Sequence, residues 1–210
     1  MIKDIDVFFE FSSPYSYLAA QELPALAARH GRALHWRPIE LSKVWEAQGV
    51  LEPYKAVRRV KVEYIWRDAA RVAAERGIPL IRYRTSPEVT RARLATHRLN
   101  RVDSSLSEVF VLRTWHKMFA EGEDIRSVDS LTCGLAAPLV AEIEAAGEDT
   151  EAAEALNSAN QDAVELRCFG VPWIVAGSEV YWGQDRIYLL KQYLKSQCAE
   201  KTGFHRAGHV

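Results

Sequence analysis

Hydrophobic positions change their period twice along the chain. From Ile5 to Phe11 they run almost unbroken, which predicts a short strand buried on both faces. Ser12-Ser13-Pro14 interrupts the run. A helical pattern then opens at Tyr15 and Ser16 and continues to about His30, where Gly31 stops it. Pro24 inside that pattern removes one backbone hydrogen bond and predicts a kink. Ala33 to Ile39 alternates between apolar and polar residues and predicts a second strand. Such a strand–helix–strand unit places its two strands side by side and parallel, with a right-handed crossover.

From about Trp45 to Leu156 the period is helical. Val57, Val60, Tyr64, Trp66, Ala69 and Ala73 mark one apolar face, which Gly77 and Pro79 terminate. Thr85-Ser86-Pro87-Glu88 has the composition of a helix start, and Arg91 to Arg101 continues it. Ser105-Leu106-Ser107-Glu108 reads as a capping box ahead of Val109, Leu112, Trp115, His116 and Phe119, with Gly122 as the stop. Two further helical pieces follow, Leu131–Ala146 with Pro138 inside it and Thr150–Cys168 closed by Gly170.

Strand chemistry then returns. Pro172 to Val175 is a short apolar strand, Ala176-Gly177-Ser178 a hairpin turn, and Glu179 to Trp182 a strand pairing back. Gly183-Gln184 leads into a last helix, Asp185–Gln197, with Asp185 as its cap and Leu189, Leu190, Tyr193 and Leu194 on its apolar face. The order β-α-β, helical block, β-β-α predicts an α/β domain interrupted by an all-helical insertion. Residues 1–44 and 157–198 form the discontinuous α/β part, 45–156 the insertion, and 199–210 a polar, frayed tail. No segment repeats at a fixed period.

Composition adds mainly exclusions. The 210 residues carry 27 Lys and Arg against 28 Asp and Glu, a formal net charge of −1. That charge provides no bulk field for nucleic acid or an anionic membrane. The cluster Lys55, Arg58, Arg59, Lys61 is local and reads as a solvated helix face. No stretch has the length and apolarity of a bilayer span. The first apolar run carries Asp4, Asp6 and Glu10 and so lacks the core of a signal peptide. Cys133, Cys168 and Cys198 are odd in number and lack C-x-x-C spacing, which opposes a disulfide framework and a structural zinc site. This composition implies a reducing, cytoplasmic setting. No histidine pair has metal-binding spacing, and no metal is expected.

Chemistry is most concentrated at Ser13, where a strand hands over to a helix N-terminus. Ser13 can be an N-cap, which alone contributes about 1 kcal/mol. It can also present a hydroxyl beside unpaired N–H groups that favour an anion.

The order of elements, with Val171-Pro172 ahead of the third strand, resembles the thioredoxin superfamily. The resemblance implies that Pro172 is cis and faces the turn. The positions that carry C-P-x-C in thioredoxin-fold oxidoreductases read Ser13-Pro14-Tyr15-Ser16 here, so dithiol redox chemistry at this turn is excluded. A hydroxyl there suits a thiol brought by a ligand. Phe9-x-Phe11-x-Ser13-Pro14-Tyr15-Ser16-Tyr17-Leu18-Ala19, with Phe169-Gly170-Val171-Pro172 and Trp182-Gly183-Gln184-Asp185-Arg186, resembles the 2-hydroxychromene-2-carboxylate isomerase family over about residues 3 to 195. That family groups with the kappa-class glutathione transferases among DsbA-like proteins.

The resemblance implies glutathione as cofactor, a small aromatic substrate and a homodimer. It makes Ser13 the catalytic hydroxyl on the glutathione sulfur. The Val171 backbone before Pro172 pairs with the cysteinyl part in the manner of an added strand. Gln184 and Asp185 hold the γ-glutamyl end, and Lys61 lies near the glycyl carboxylate. Glu52 stands where the family often has Asn, which implies a different contact with glutathione. The reaction implied is interconversion of 2-hydroxychromene-2-carboxylate and trans-o-hydroxybenzylidenepyruvate by reversible thiolate addition. A kappa-like transferase conjugating electrophiles, and a non-catalytic thiol- or peptide-binding protein, share these residues. Tyr17, Trp36, Trp66, Trp173 and Trp182 are candidates for an aromatic pocket, although such spacings more often mark core. Cys168 reads as a small buried residue.

Overall fold

Ile5–Phe9 form β1, the strand on which the sheet is assembled. The computed structural model describes residues 4–83 and 87–202, with the backbone alone for 198–202. β1 pairs in parallel with β2 (Leu34–Pro38), Val7 opposite Trp36, and antiparallel with β3 (Trp173–Ala176), Val7 opposite Ile174. β3 turns through Gly177 (φ 66°) into β4 (Glu179–Trp182), giving the order β2-β1-β3-β4.

Both faces of β1 are covered, as its unbroken apolar run requires. On one face Phe9, Phe11, Trp36 and Trp115 pack edge-to-face or tilted with centroids 4.8–5.8 Å apart, and the Trp115 Nε1–H donates to the Phe11 carbonyl at 3.0 Å. On the other, Phe8 packs with Ile39, Ala159, Ala163, Cys168, Val171 and Trp173. Trp115 lies in the helical stretch and Trp36 on the sheet, so the two predicted parts share one core.

The helices depart from the predicted boundaries where proline and turn chemistry compete. The single helix expected over Tyr15–His30 is two, α1 (Pro14–Ala20) and α2 (Leu23–Arg29). Pro24 opens α2 instead of kinking a longer helix, because a missing N–H has no consequence in a first turn. Pro138 does the same: the expected Leu131–Ala146 helix is α7 (Val128–Thr132) and α8 (Ala137–Ala145), with Pro138 in the first turn of α8. Between these pairs lie α3 (Leu41–Ala47), α4 (Leu51–Arg76), α5 (Thr90–Val102) and α6 (Ser104–Trp115). On α4 only part of the predicted face is core. Trp66, Ala69 and Ala73 are buried, while Val57, Val60 and Tyr64 are exposed.

Thr85 and Ser86 of the predicted α5 start lie outside the described residues, and α5 begins later, at Thr90. The cap of α6 is Asp103, whose carboxylate accepts from the Ser105 N–H at 2.8 Å, in place of the expected Ser105 box. A π-helical turn, His116–Glu121, extends α6 to Gly122 (φ 72°). α9 covers Thr150–Glu165, short of Cys168. Asp185 does not cap the last helix. A 3-10 turn over Gln184–Arg186 precedes α10 (Ile187–Thr202), and the Asp185 carboxylate accepts from Arg186. α10 runs beyond Cys198 into the predicted tail, and 203–210 lie outside the described residues.

Candidate functional site

The end of β1, the start of α1 and the segment before β3 meet at one cleft of about 1120 Å³, whose far wall is α4. Ser13, Val171 and Lys61 all line it. Ser13 has the extended backbone of an N-cap (φ −87°, ψ 114°), and its Oγ accepts from the Ser16 N–H at 3.2 Å. The two sequence readings of Ser13 are therefore compatible. A hydroxyl that accepts through a lone pair keeps its single proton to donate elsewhere. Pro14 carries no N–H and that of Ser16 is taken by Ser13, which leaves the Ser13 hydroxyl and the Tyr15 N–H as the donors at this end of α1. Ser16, at the second C-P-x-C position, is buried, and its Oγ has no partner among the described residues.

Opposite the turn, the Val171–Pro172 bond is cis, as the resemblance implied. Among the described residues neither backbone group of Val171 has a hydrogen-bond partner. A peptide unit left free at a strand start can pair with an extended ligand backbone. The approach to it is tight: a Cβ on Gly170 would lie 2.7 Å from Trp182 Nε1. Phe169 packs between Trp173 and Trp182, and its carbonyl accepts from the Trp45 Nε1–H at 3.0 Å.

The remaining predicted residues are placed differently. Pro172 is buried behind Val171, and its carbonyl accepts from the Gly183 N–H at 2.9 Å. Gln184 is buried with Oε1 unpartnered among the described residues, and Asp185 is exposed. Neither lines the cleft, although Asp185 lies near enough to Tyr15, which does, to act on its hydroxyl. Lys61 Nζ sits 5.0 Å from the centroid of the Tyr54 ring. Glu52 is exposed, bonds Lys55 at 2.6 Å and stays outside the cleft lining. Of the five aromatic candidates, Trp66 and Trp182 line the cleft, while Tyr17, Trp36 and Trp173 are core.

Hydroxyl groups brace the turn from several directions. Tyr83 donates to the Ser12 carbonyl at 3.1 Å, and Tyr17 donates to the Pro79 carbonyl at 2.9 Å. Tyr15 donates to Asp68 Oδ2 at 2.7 Å. Burial, the bond to Asp68 and the charges of Asp68 and Asp185 push the Tyr15 hydroxyl well above its ordinary range, so it stays protonated. Glu10 forms part of the cleft lining and accepts from Arg93 Nη2 at 2.7 Å and from the Leu41 N–H at 2.9 Å. Burial raises its pKa against the opposing pull of Arg93. Cys168 lies below the cleft with its thiol pushed up to about 12 by burial, which makes it an inert packing residue. Among the described residues no group of His, Cys, Asp and Glu side chains could hold a metal ion, and no helix is long and apolar enough to cross a membrane.

Sequence pattern missed Trp45, Tyr54, Tyr83 and the pair Glu10–Arg93 as parts of the site. The basic cluster is the solvated helix face expected, and Lys55, Arg58, Arg59 and Lys61 at the same time form the α4 wall of the cleft, which the pattern did not show. Their 55, 58, 59 spacing, one helical face, was the available signal.

Residues 4–195 match the DSBA-like thioredoxin domain family. The chain is 28% identical over 200 residues to the 2-hydroxychromene-2-carboxylate isomerase of Pseudomonas putida, covering 94% of this chain and 97% of that protein. It is 30% identical over 200 residues to the protein of the same name from Sphingobium xenophagum, covering 92% and 99%. A solved structure of a 2-hydroxychromene-2-carboxylate isomerase superposes with a TM-score of 0.79 at 26% identity, covering 94% of this chain and 97% of that one.

Proposed function

For a chain that belongs to the DSBA-like thioredoxin family and, within it, to the 2-hydroxychromene-2-carboxylate isomerases, an enzyme of the isomerase class, we propose the following reaction. It interconverts 2-hydroxychromene-2-carboxylate and trans-o-hydroxybenzylidenepyruvate, or a similar aromatic catabolite, with glutathione as a cofactor that is not consumed. The observation that carries this reading is the meeting of the free Ser13 hydroxyl proton and the unpartnered Val171 backbone across one basic-walled cleft.

The residues present fit a γ-glutamyl tripeptide thiol. Val171 offers an N–H and a C=O to a backbone, and Lys61 a cation to the glycyl carboxylate. The exposed Asp185 carboxylate, close to Tyr15 of the lining, is an acceptor suited to an ammonium group, whereas Gln184 Oε1 is buried away from the lining. Glu52, bound to Lys55 and outside the lining, leaves the cleft to these groups. When bound, glutathione supplies a thiolate able to add to and leave from a conjugated double bond, which frees rotation about that bond. Ser13 stabilises negative charge at the sulfur position by donating its proton, and the Ser16 N–H fixes the orientation of Oγ. Tyr83 holds the Ser12 peptide and so the turn. Trp66 and Trp182 give the substrate apolar walls and displace water. Under the same reading the enzyme is a cytoplasmic homodimer, for which exposed Val57 and Val60 on α4 offer an apolar face.

The test follows the absorbance of each isomer with purified protein, with and without glutathione. The expected outcome is approach to the same mixture from both sides, dependent on glutathione and without loss of free thiol. Accumulation of a thioether would replace the isomerase with a transferase, and absence of binding at millimolar glutathione would remove the cofactor.

A further inference from the structure

The cleft holds more positive charge and more room than one tripeptide uses. Its volume, about 1120 Å³, exceeds the roughly 300–1,000 Å³ of a typical small-ligand site. The cations on its walls are not equivalent. Lys55 is bound to Glu52 at 2.6 Å, and Arg82 is bound to both oxygens of Glu63 at 2.8 and 3.0 Å. Arg59 also acts on Glu63, one turn along α4. Lys61 lies over the Tyr54 ring. Among the described residues Arg58 has no ion pair, and its charge is felt by the hydroxyls of both Tyr54 and Tyr83, each of which burial pushes up. Arg58 therefore lines the same cleft as the Tyr54 and Tyr83 rings, with its guanidinium free of any ion pair among the described residues.

We propose that Arg58 is a specificity-determining residue that takes the carboxylate of a planar aromatic acid lying among the aromatic walls of the cleft, separate from the anion bound at Lys61. A guanidinium matches a carboxylate with two parallel N–H donors, and flat aromatic walls suit a conjugated acid. The inference rests on the isomerase reading for its biological substrate, but the geometry concerns binding alone.

The experiment is calorimetric titration of the full-length protein with trans-cinnamate and with its uncharged amide, cinnamamide. Arg58→Gln and Arg58→Lys are compared with wild type. Arg71→Gln, which removes the same charge from the same helix outside the cleft, is the field control. Wild type and Arg71→Gln are expected to prefer the acid by about tenfold, the scale of one charge-assisted pair. Arg58→Gln loses that preference, and Arg58→Lys keeps part of it because charge remains without the fork. Glutathione affinity is unchanged in Arg58→Gln. Equal binding of acid and amide by wild type overturns the proposal. So does an equal loss in Arg71→Gln, which would mean a diffuse field, or a loss of glutathione affinity in Arg58→Gln with cinnamate binding intact. Failure of the isomerase reading shows elsewhere, as absent glutathione-dependent turnover, while the acid–amide comparison still decides the role of Arg58.

Discussion

Replacing Ser13 tests two contributions that one oxygen makes at once. Its Oγ accepts from the Ser16 N–H at 3.2 Å, a cap worth about 1 kcal/mol. At this chain length that is a melting temperature roughly 2–4 °C lower in Ser13→Ala. Its O–H is the donor proposed for the bound thiolate. A hydrogen bond to a charged acceptor contributes about 1.5–3 kcal/mol, which at 1.36 kcal/mol per unit is a rise of about 1–2 in the pKa of the bound thiol. Turnover near neutral pH then falls by roughly 10- to 100-fold. Ser13→Gly separates the two effects, because glycine at an N-cap costs only about a few tenths of a kcal/mol and carries no hydroxyl. The thiolate is read by ultraviolet absorbance of the protein–glutathione complex across pH, and stability by thermal unfolding without ligand. The expected pattern is two variants that differ in stability but share the same raised thiol pKa and reduced turnover. A thiol pKa unchanged in both variants would refute the reasoning and leave Ser13 a cap alone.

Further predictions concern the surroundings of the turn. Tyr83→Phe removes the donor to the Ser12 carbonyl and keeps the ring on Trp66, so unfolding free energy should drop by about 0.5–1.5 kcal/mol and kcat should fall, with glutathione affinity little changed. Unchanged kcat would show that Tyr83 does not position the turn. His97 is buried, and its Nε2–H donates to the Pro38 carbonyl at 2.9 Å. Burial lowers its pKa from 6.5 to about 4, against the bond to Pro38 and with the help of the Arg37 charge. The unfolded chain therefore binds the proton more readily, and the stability present above pH 6.5 is lost as pH falls towards 4. Between pH 8 and pH 5 this loss is about 2 kcal/mol, which urea unfolding of His97→Gln should lack. The same pH slope in the variant would assign the loss to other groups. Finally, alkylation of the native protein near pH 8 followed by peptide mass mapping should mark exposed Cys133 and spare Cys168, whose thiol is held up at about 12. Rapid labelling of Cys168 would mean that the core under the cleft opens.

What could be read from the chain alone is what short-range physics dictates. The unbroken run at Ile5–Phe9 required cover on both faces, and the alternation at Leu34–Pro38 and the turn at Gly177 set strands and a hairpin. The motif at Ser13 could be read because a strand end, a proline and a hydroxyl in sequence force a cap geometry. Prolines were legible as features but not in their effect. Whether Pro24 or Pro138 kinks a helix or starts a new one depends on whether packing lets the preceding turn open. The α4 face was misjudged at Val57, Val60 and Tyr64 because periodicity identifies an apolar stripe without saying which part of a 26-residue helix has a neighbour. The cleft itself was decided only by tertiary structure. Tyr83 meets Ser12 across 71 positions and Trp45 meets Phe169 across 124, and no local pattern encodes such distances. The same packing gave the charges of α4 their different tasks, since a cation's role follows from the partner that folding sets beside it.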